Sequence, residues 1–233
     1  MISVCMATKD GGRFLDKQLD SILPQLSYCD ELIISDDHST DDTFEIVKNY
    51  SDSRIRFFKN PKKGIVSNFE NSLKHSRGDF IFLADQDDVW MPDKIQQTLP
   101  YLNEYNLVLS DCTIVDDQLA SLYPSFFDFN SSKKGLLRNL FSNSYMGCCM
   151  AFKRTILTKA LPFPSRAMAH DQWLGLIAEL HGRVFFYPEK LVLHRRHGKN
   201  ASTTFQKSKF DFRDKFSHRL NLAASLIEAR YGN

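Results

Sequence analysis

Residues 80–88 read FIFLADQDD, five apolar residues in a row followed by three carboxylates within four positions. So short an apolar run, stopping at polar residues, reads as a buried β-strand whose end presents Asp85, Asp87 and Asp88 to whatever lies beyond it. Three similar runs precede it, at residues 2–7 (ISVCMA), 31–35 (ELIIS) and 55–58 (IRFF). Between them the apolar residues change period. Leu15, Leu19, Ile22, Leu23 and Leu26 fall at helical spacing, and Ile65, Phe69 and Leu73 recur every fourth position. Ser39-Thr40-Asp41-Asp42 has the look of a capping box opening a helix that carries Phe44 and Val47. Strands alternating with helices require right-handed crossovers, so the expected fold is α/β, with a mainly parallel, Rossmann-like sheet covered by helices on both faces.

Downstream of residue 104 the pattern loosens. Residues 107–115, 146–152 and 183–187 are expected strands, residues 171–180 an expected helix, and residues 116–142 loop-rich. The last 29 residues, from Phe205, mix phenylalanines with lysines and arginines and read as a helical extension. The expected organisation is one domain over 1–204, with a nucleotide-binding half at about 1–104 and an acceptor half at about 105–204, then the extension at 205–233. A length of 233 residues accommodates one such core and no second independent one.

Composition excludes several classes. Thirty basic against 28 acidic residues give a net charge of +2, no footprint for nucleic acid. Cys5, Cys29, Cys112, Cys148 and Cys149 show no C-x-x-C spacing, which argues against both a disulfide framework and a zinc motif. Neither G-x-x-x-x-G-K nor G-x-G-x-x-G occurs, removing the P-loop kinase and dinucleotide-dehydrogenase readings. No basic segment followed by an apolar stretch opens the chain, and no apolar run reaches a membrane-spanning length. The expectation is a cytoplasmic protein, with peripheral contact at the inner face of the plasma membrane through Phe205, Phe210, Phe212 and Phe216 among Lys207, Lys209, Arg213, Lys215 and Arg219. A helix packed on the domain explains that tail equally well.

In a parallel α/β sheet, ligands bind outside the carboxyl ends of the strands. Thr8 ends the first strand, Asp36 and Asp37 the second, and Asp85 and Asp87 the fourth. So many carboxylates on one edge repel one another unless a cation shares the space. A hard divalent metal whose shell is completed by diphosphate oxygens meets that need. In Asp85-x-Asp87 one aspartate can bind the metal while the other takes a ribose or an ordered water. The competing reading is a helix start capped by Asp88 or Asp93. Asp36 and Asp37 suit the edge of a nucleobase and ribose hydroxyls, with Asp41 and Asp42 left to cap the following helix.

The succession ATKDGGRFLDKQLDSIL, IISDDHSTDDT, NSLKHSRGDFIFLADQDDVW and HDQWLGLIAELHGRVFFYPEKLVLHRRHGKN resembles the family 2 glycosyltransferases of GT-A fold, over roughly residues 1–202. It is most similar to the branch that builds bacterial O-antigens and capsules, rhamnosyl- and glucosyltransferases included. The resemblance implies an inverting hexosyltransferase using Mn2+ or Mg2+. Its donor would be a UDP- or dTDP-sugar and its acceptor a glycan or lipid-linked oligosaccharide. It implies nucleoside contacts at Thr8, Asp36 and Asp37, and a base- or diphosphate-holding Arg77. It further implies Asp85 on the donor, Asp87 on the metal, Asp171 as catalytic base, and His197 reaching the metal or diphosphate. Arg195, Arg196 and Lys199 around His197 would form an electropositive loop. Gly147 would shape the acceptor pocket, and His170 and Trp173 would flank the base, the indole offering a face for a sugar. A helix-capping Asp171 is the plainer alternative. Lys9 departs from the family's frequent aromatic residue at that place. Two rival functions stand beside this one. A sugar-phosphate nucleotidyltransferase wants a glycine-rich basic loop after the first strand, but ATKDGG has no second basic residue until Arg13. A non-catalytic nucleotide-sugar-binding module has no need for Asp85, Asp87 and Asp171 together.

Overall fold

The computed structural model describes residues 1–164, 169–198, 200 and 212–231. Its strands are β1 (Ile2–Thr8), β2 (Glu31–Asp36), β3 (Ile55–Lys59), β4 (Phe80–Asp85), β5 (Val89–Trp90), β6 (Leu107–Val115), β7 (Ser121–Tyr123), β8 (Met150–Lys153) and β9 (Val184–Arg195). The helices are α1 (Gly12–Ile22), α2 (Thr43–Asn49), α3 (Ile65–His75), α4 (Lys94–Thr98), α5 (Tyr101–Glu104), α6 (Phe126–Asn130), α7 (Leu136–Phe141), α8 (Arg154–Ala160), α9 (His170–His181) and α10 (Phe212–Tyr231).

One sheet joins all the strands in the order β3-β2-β1-β4-β8-β6-β9-β5, with β7 added to β6. The first four strands are parallel, as the alternation predicts. The second half is mixed: β8 runs antiparallel to both β4 and β6, and only β6–β9 is parallel there. All seven residues of β1 are buried, so both faces of the sheet are covered at its centre. From α1, Leu15, Leu19 and Ile22 form a wholly buried stripe, and α3 contributes Phe69 and Leu73. Each such side chain contributes about 1.5–3 kcal/mol by leaving water.

Three local expectations change. The N-cap of α2, Asp42, makes no side-chain bond to the helix, so Ser39–Asp42 is not a capping box. The Asp41 carboxylate instead takes the Gly12 and Thr43 amides, pinning α1 to α2. Residues 147–149 form a 3-10 turn, and the strand expected from 146 begins at Met150. The loop-rich stretch 116–142 holds β7, α6 and α7. At the C-terminus, α10 lies against α7 and α9 and buries Leu222 and Leu226. Phe205, Lys207, Lys209 and Phe210 fall outside the described residues, as do the side chains of Phe212, Arg213, Lys215 and Phe216. No helix among the described residues is long and apolar enough to cross a membrane.

Candidate active site

The parallel register brings the tips of β1, β2 and β4 to one edge: Thr8 stands opposite Asp36, and Ala7 opposite Asp85. Over that edge opens a cavity of about 630 Å³, a size suited to a small ligand. Thr8, Lys9, Asp37, Asp85 and Asp87 line it from the first half, and Tyr145, Gly147, His170 and Asp171 from the second.

The loops that follow β1 and β4 are locked together by Gln86, the middle residue of Asp85-x-Asp87. Its amide accepts from the Lys9 N–H at 2.8 Å and donates to the Lys9 carbonyl at 2.9 Å. Gly11 makes room for this clamp, since a Cβ there would sit 2.1 Å from Gln86 Oε1. The neighbouring aspartates diverge. Asp37 lines the cavity, held by the Asn60 amide at 3.2 Å and by the Gly64 N–H at 3.0 Å. Gly64 stands at φ 108°, a conformation that favours glycine. Asp36 turns inward. It accepts from the Thr8 hydroxyl at 2.9 Å and from Ser39, and it does not line the cavity. The expected nucleoside contact at Asp36 is therefore corrected: its carboxylate shapes the loop that carries Asp37. Thr8 reaches the cavity, but its hydroxyl is engaged by Asp36.

Asp87 Oδ2 meets His197 Nε2 at 2.8 Å and the Asn200 amide at 3.0 Å, while the His197 ring stacks on Phe14 at 4.9 Å. Residues 110 positions apart are thus brought together. One carboxylate and one imidazole beside an open cavity fit a divalent cation that keeps positions free for phosphate oxygens. A second group, Asp85, Asp88, Cys148 and His194, has its ligand atoms within 4.8 Å of one another, but it lies deeper and contains a thiol. That donor set is a poorer match for Mn2+ or Mg2+, so the Asp87–His197 pair is the better candidate for a cation that holds diphosphate. Burial, Asp88 and Asp87 all push the Asp85 carboxyl well above the usual range. Burial opposes charge on His194, yet Asp88, 3.0 Å away, and then Asp85 and Asp87 outweigh it and raise that imidazole to about 9.

Asp171 is the second residue of α9, and Ala169, not Asp171, is the N-cap. Its Oδ1 accepts the Gln172 N–H at 2.7 Å, and burial pushes its carboxyl up to about 6. His170 stacks on Phe69 with centroids 3.8 Å apart, and burial lowers it to about 3, so it is neutral at working pH. A Cβ on Gly147 would stand 2.8 Å from His170 Nε2, so glycine is what lets the two approach.

Three expected contacts are not brought to the cavity. Arg77 precedes β4 and sits at the opposite edge of the sheet, exposed, with its N–H bonded to the Ser3 hydroxyl and Glu31 at the starts of β1 and β2. Trp173 is 2% exposed and donates its indole N–H to the Ala160 carbonyl at 3.0 Å, so it offers no face to a sugar. Arg195 is 1% exposed, with its guanidinium on the Asp87 and Asp117 carbonyls and over the Phe14 ring. It braces the loop and does not face phosphate. Lys199 lies outside the described residues. Conversely, His194, Asn143, Tyr145 and Lys63 line the cavity unannounced. Only the histidine-rich run HRRH and the turn NPKKG gave any hint of them.

The fold superposes on S. aureus TarS 1–349, solved in complex with UDP-GlcNAc, with a TM-score of 0.71 at 18% identity, covering 99% of this chain and 72% of that one. It also superposes on the mannosyltransferase PcManGT of Pyrobaculum calidifontis, in complex with GDP-Man and Mn2+, with a TM-score of 0.65 at 17% identity, covering 100% and 75%. This is the GT-A arrangement. In sequence the chain is 26% identical over 186 residues to the Escherichia coli UDP-Glc:alpha-D-GlcNAc-diphosphoundecaprenol beta-1,3-glucosyltransferase WfgD, covering 77% of this chain and 70% of that one. It is 31% identical over 167 residues to the Campylobacter jejuni GalNAc(5)-diNAcBac-PP-undecaprenol beta-1,3-glucosyltransferase, covering 67% and 52%. It is 26% identical over 220 residues to the Shigella flexneri dTDP-rhamnosyl transferase RfbG, covering 84% and 72%. The chain thus spans between about half and 72% of the length of these three relatives. The profile of one family matches residues 3–161, well over half of the chain, and with the strand-tip carboxylates where that fold needs them, the chain belongs to glycosyl transferase family 2.

Proposed function

We propose that the protein transfers a hexose, with inversion, from a UDP- or dTDP-sugar to a lipid-linked saccharide during assembly of a cell-surface polysaccharide. The observation that carries this reading is the single cavity shared by Asp37, Asp85, Asp87 and Asp171. Asp37 and the adjoining Lys9 and Gly64 would take the nucleoside, and Asp85 the ribose. Asp87 and His197 would hold a divalent cation, Mn2+ in preference to Mg2+ because one donor is an imidazole. The cation, when bound, neutralises charge on the departing diphosphate.

The protein's own part is to orient and to move one proton. Ionised at neutral pH and at the cavity wall, Asp171 would take the proton from the acceptor hydroxyl as that oxygen attacks the anomeric carbon. Gly147, His170 and Tyr145 would bound the sugar. Named relatives that act on diphosphoundecaprenol carriers support a lipid-linked acceptor. Peripheral membrane contact is supported by exposed Leu137 and Phe141 on α7 beside exposed Leu220 and Ile227 on α10. The test is a calorimetric screen of UDP- and dTDP-sugars with and without Mn2+. Metal-dependent binding of one donor is expected, and no binding of any would overturn the reading.

A further inference from the structure

At the cavity floor, which Asp85 and His194 line, the buried Asp88, Cys148 and His194 meet Asp85 from three different elements: the loop after β4, the turn before β8 and the end of β9. His194 Nδ1 lies 3.0 Å from Asp88 Oδ1 and 3.7 Å from Cys148 Sγ. Tetrahedral zinc, with bonds near 2.0–2.1 Å to nitrogen and oxygen and 2.3 Å to sulfur, separates its ligands by roughly 3.3–3.6 Å. The two separations at His194 bracket that range within about 0.3 Å, and all the donor atoms lie within 4.8 Å of one another. Asp85 completes the set within 4.8 Å, so closing it asks the carboxyl for a movement of about an ångström. A second observation points the same way. Among the described residues no donor reaches the Asp85 carboxylate, although it lies beside Asp87 and Asp88. The Lys94 ammonium, itself buried, bonds the Cys148 carbonyl at 2.9 Å and fixes the main chain that carries the thiol.

We infer that Asp85, Asp88, Cys148 and His194 form a second metal site, selective for a thiophilic cation such as Zn2+, whose occupation withdraws Asp85 from the donor cavity and inhibits transfer. Binding stands on these four residues alone, and only the inhibitory consequence rests on the function proposed above. Coordination takes Cys148 as thiolate and His194 as neutral imidazole, so their protons leave to solvent as the ion enters. A sulfur ligand separates this site from the Asp87–His197 pair, because hard cations disfavour thiolate.

Cobalt titration of the full chain reads the site directly. Wild-type protein should bind one Co2+ with thiolate-to-metal charge-transfer absorption in the near ultraviolet, and Zn2+ should bleach that band. Cys148→Ser should lose the band, whereas Cys149→Ser and Asp87→Asn should keep it. At fixed Mn2+, the Zn2+ concentration that halves donor binding should rise about tenfold or more in Cys148→Ser, as loss of a ligand demands. Absence of the band, its persistence in Cys148→Ser, or equal zinc sensitivity of the two proteins overturns the inference. If no donor binds with Mn2+ in any variant, the transferase reading fails while the cobalt band still decides the site.

Discussion

Replacing Asp171 by Asn should stop the enzyme and stabilise it, two effects with a common cause. Burial raises the Asp171 carboxyl from its ordinary 3.8 to about 6, so its ionised form is less comfortable in the folded chain than in the unfolded one. The sign follows from linkage. A raised pKa favours folding while the group is protonated, and that advantage fades as pH climbs through about 4 to 6. A displacement of about two pH units corresponds to about 3 kcal/mol, and the open edge toward the cavity lowers this to between about 1 and 3 kcal/mol. Asn cannot ionise, and its carbonyl can still accept the Gln172 N–H. Urea unfolding should therefore give a more stable Asp171→Asn protein at pH 7.5 and an advantage about a third as large at pH 4.5. Turnover should drop about 10²–10⁴-fold, as loss of a general base does, with donor affinity unchanged. A destabilised variant at pH 7.5 would show that the ionised carboxylate supports the fold, and near-normal turnover would remove its role as base.

For the wild type, kcat/KM should fall about tenfold per pH unit below about pH 6 as Asp171 takes up a proton, and a flat profile down to pH 5 would refute that assignment. Asp87→Ala should abolish the Mn2+ dependence of donor binding and weaken the donor about 100-fold or more, measured by calorimetry. Unchanged affinity with Mn2+ would place the cation elsewhere. Arg77→Ala should leave donor affinity as it was, since the residue lies across the sheet from the cavity. Trp173→Phe should lower stability by about 1–3 kcal/mol through loss of the bond to Ala160 while sparing the acceptor KM. A raised KM at full stability would reinstate the indole as a sugar contact.

Particular residues show what was legible in the chain before its fold was known. FIFLA followed by acids needed only the rule that ligands gather beyond the carboxyl ends of parallel strands, and Asp37, Asp85 and Asp87 duly line one cavity. The same rule places Arg77 at the far edge, because a residue preceding a parallel strand stands opposite those that follow it. The resemblance had hidden this. Trp173 was readable too: α9 is apolar around most of its circumference, and such a helix is buried. Asp36 was not readable, for adjacent aspartates differ only in which way the backbone turns them. The pairing of Asp87 with His197, 110 residues on, came from the resemblance and from no local pattern. Cys148 and His194 met through a sheet order in which β8 and β9 flank β6, an order the mixed second half did not announce.

Gln86 grips the main chain of Lys9 and ignores its side chain. Every residue but proline offers the same pair of groups, so position 9 is an interchangeable tooth in a fixed jaw. The Lys9 ammonium meanwhile reaches the Asp37 carboxylate at 3.6 Å across the neighbouring strand tip, so one exchange there would release that carboxylate while the jaw keeps its grip.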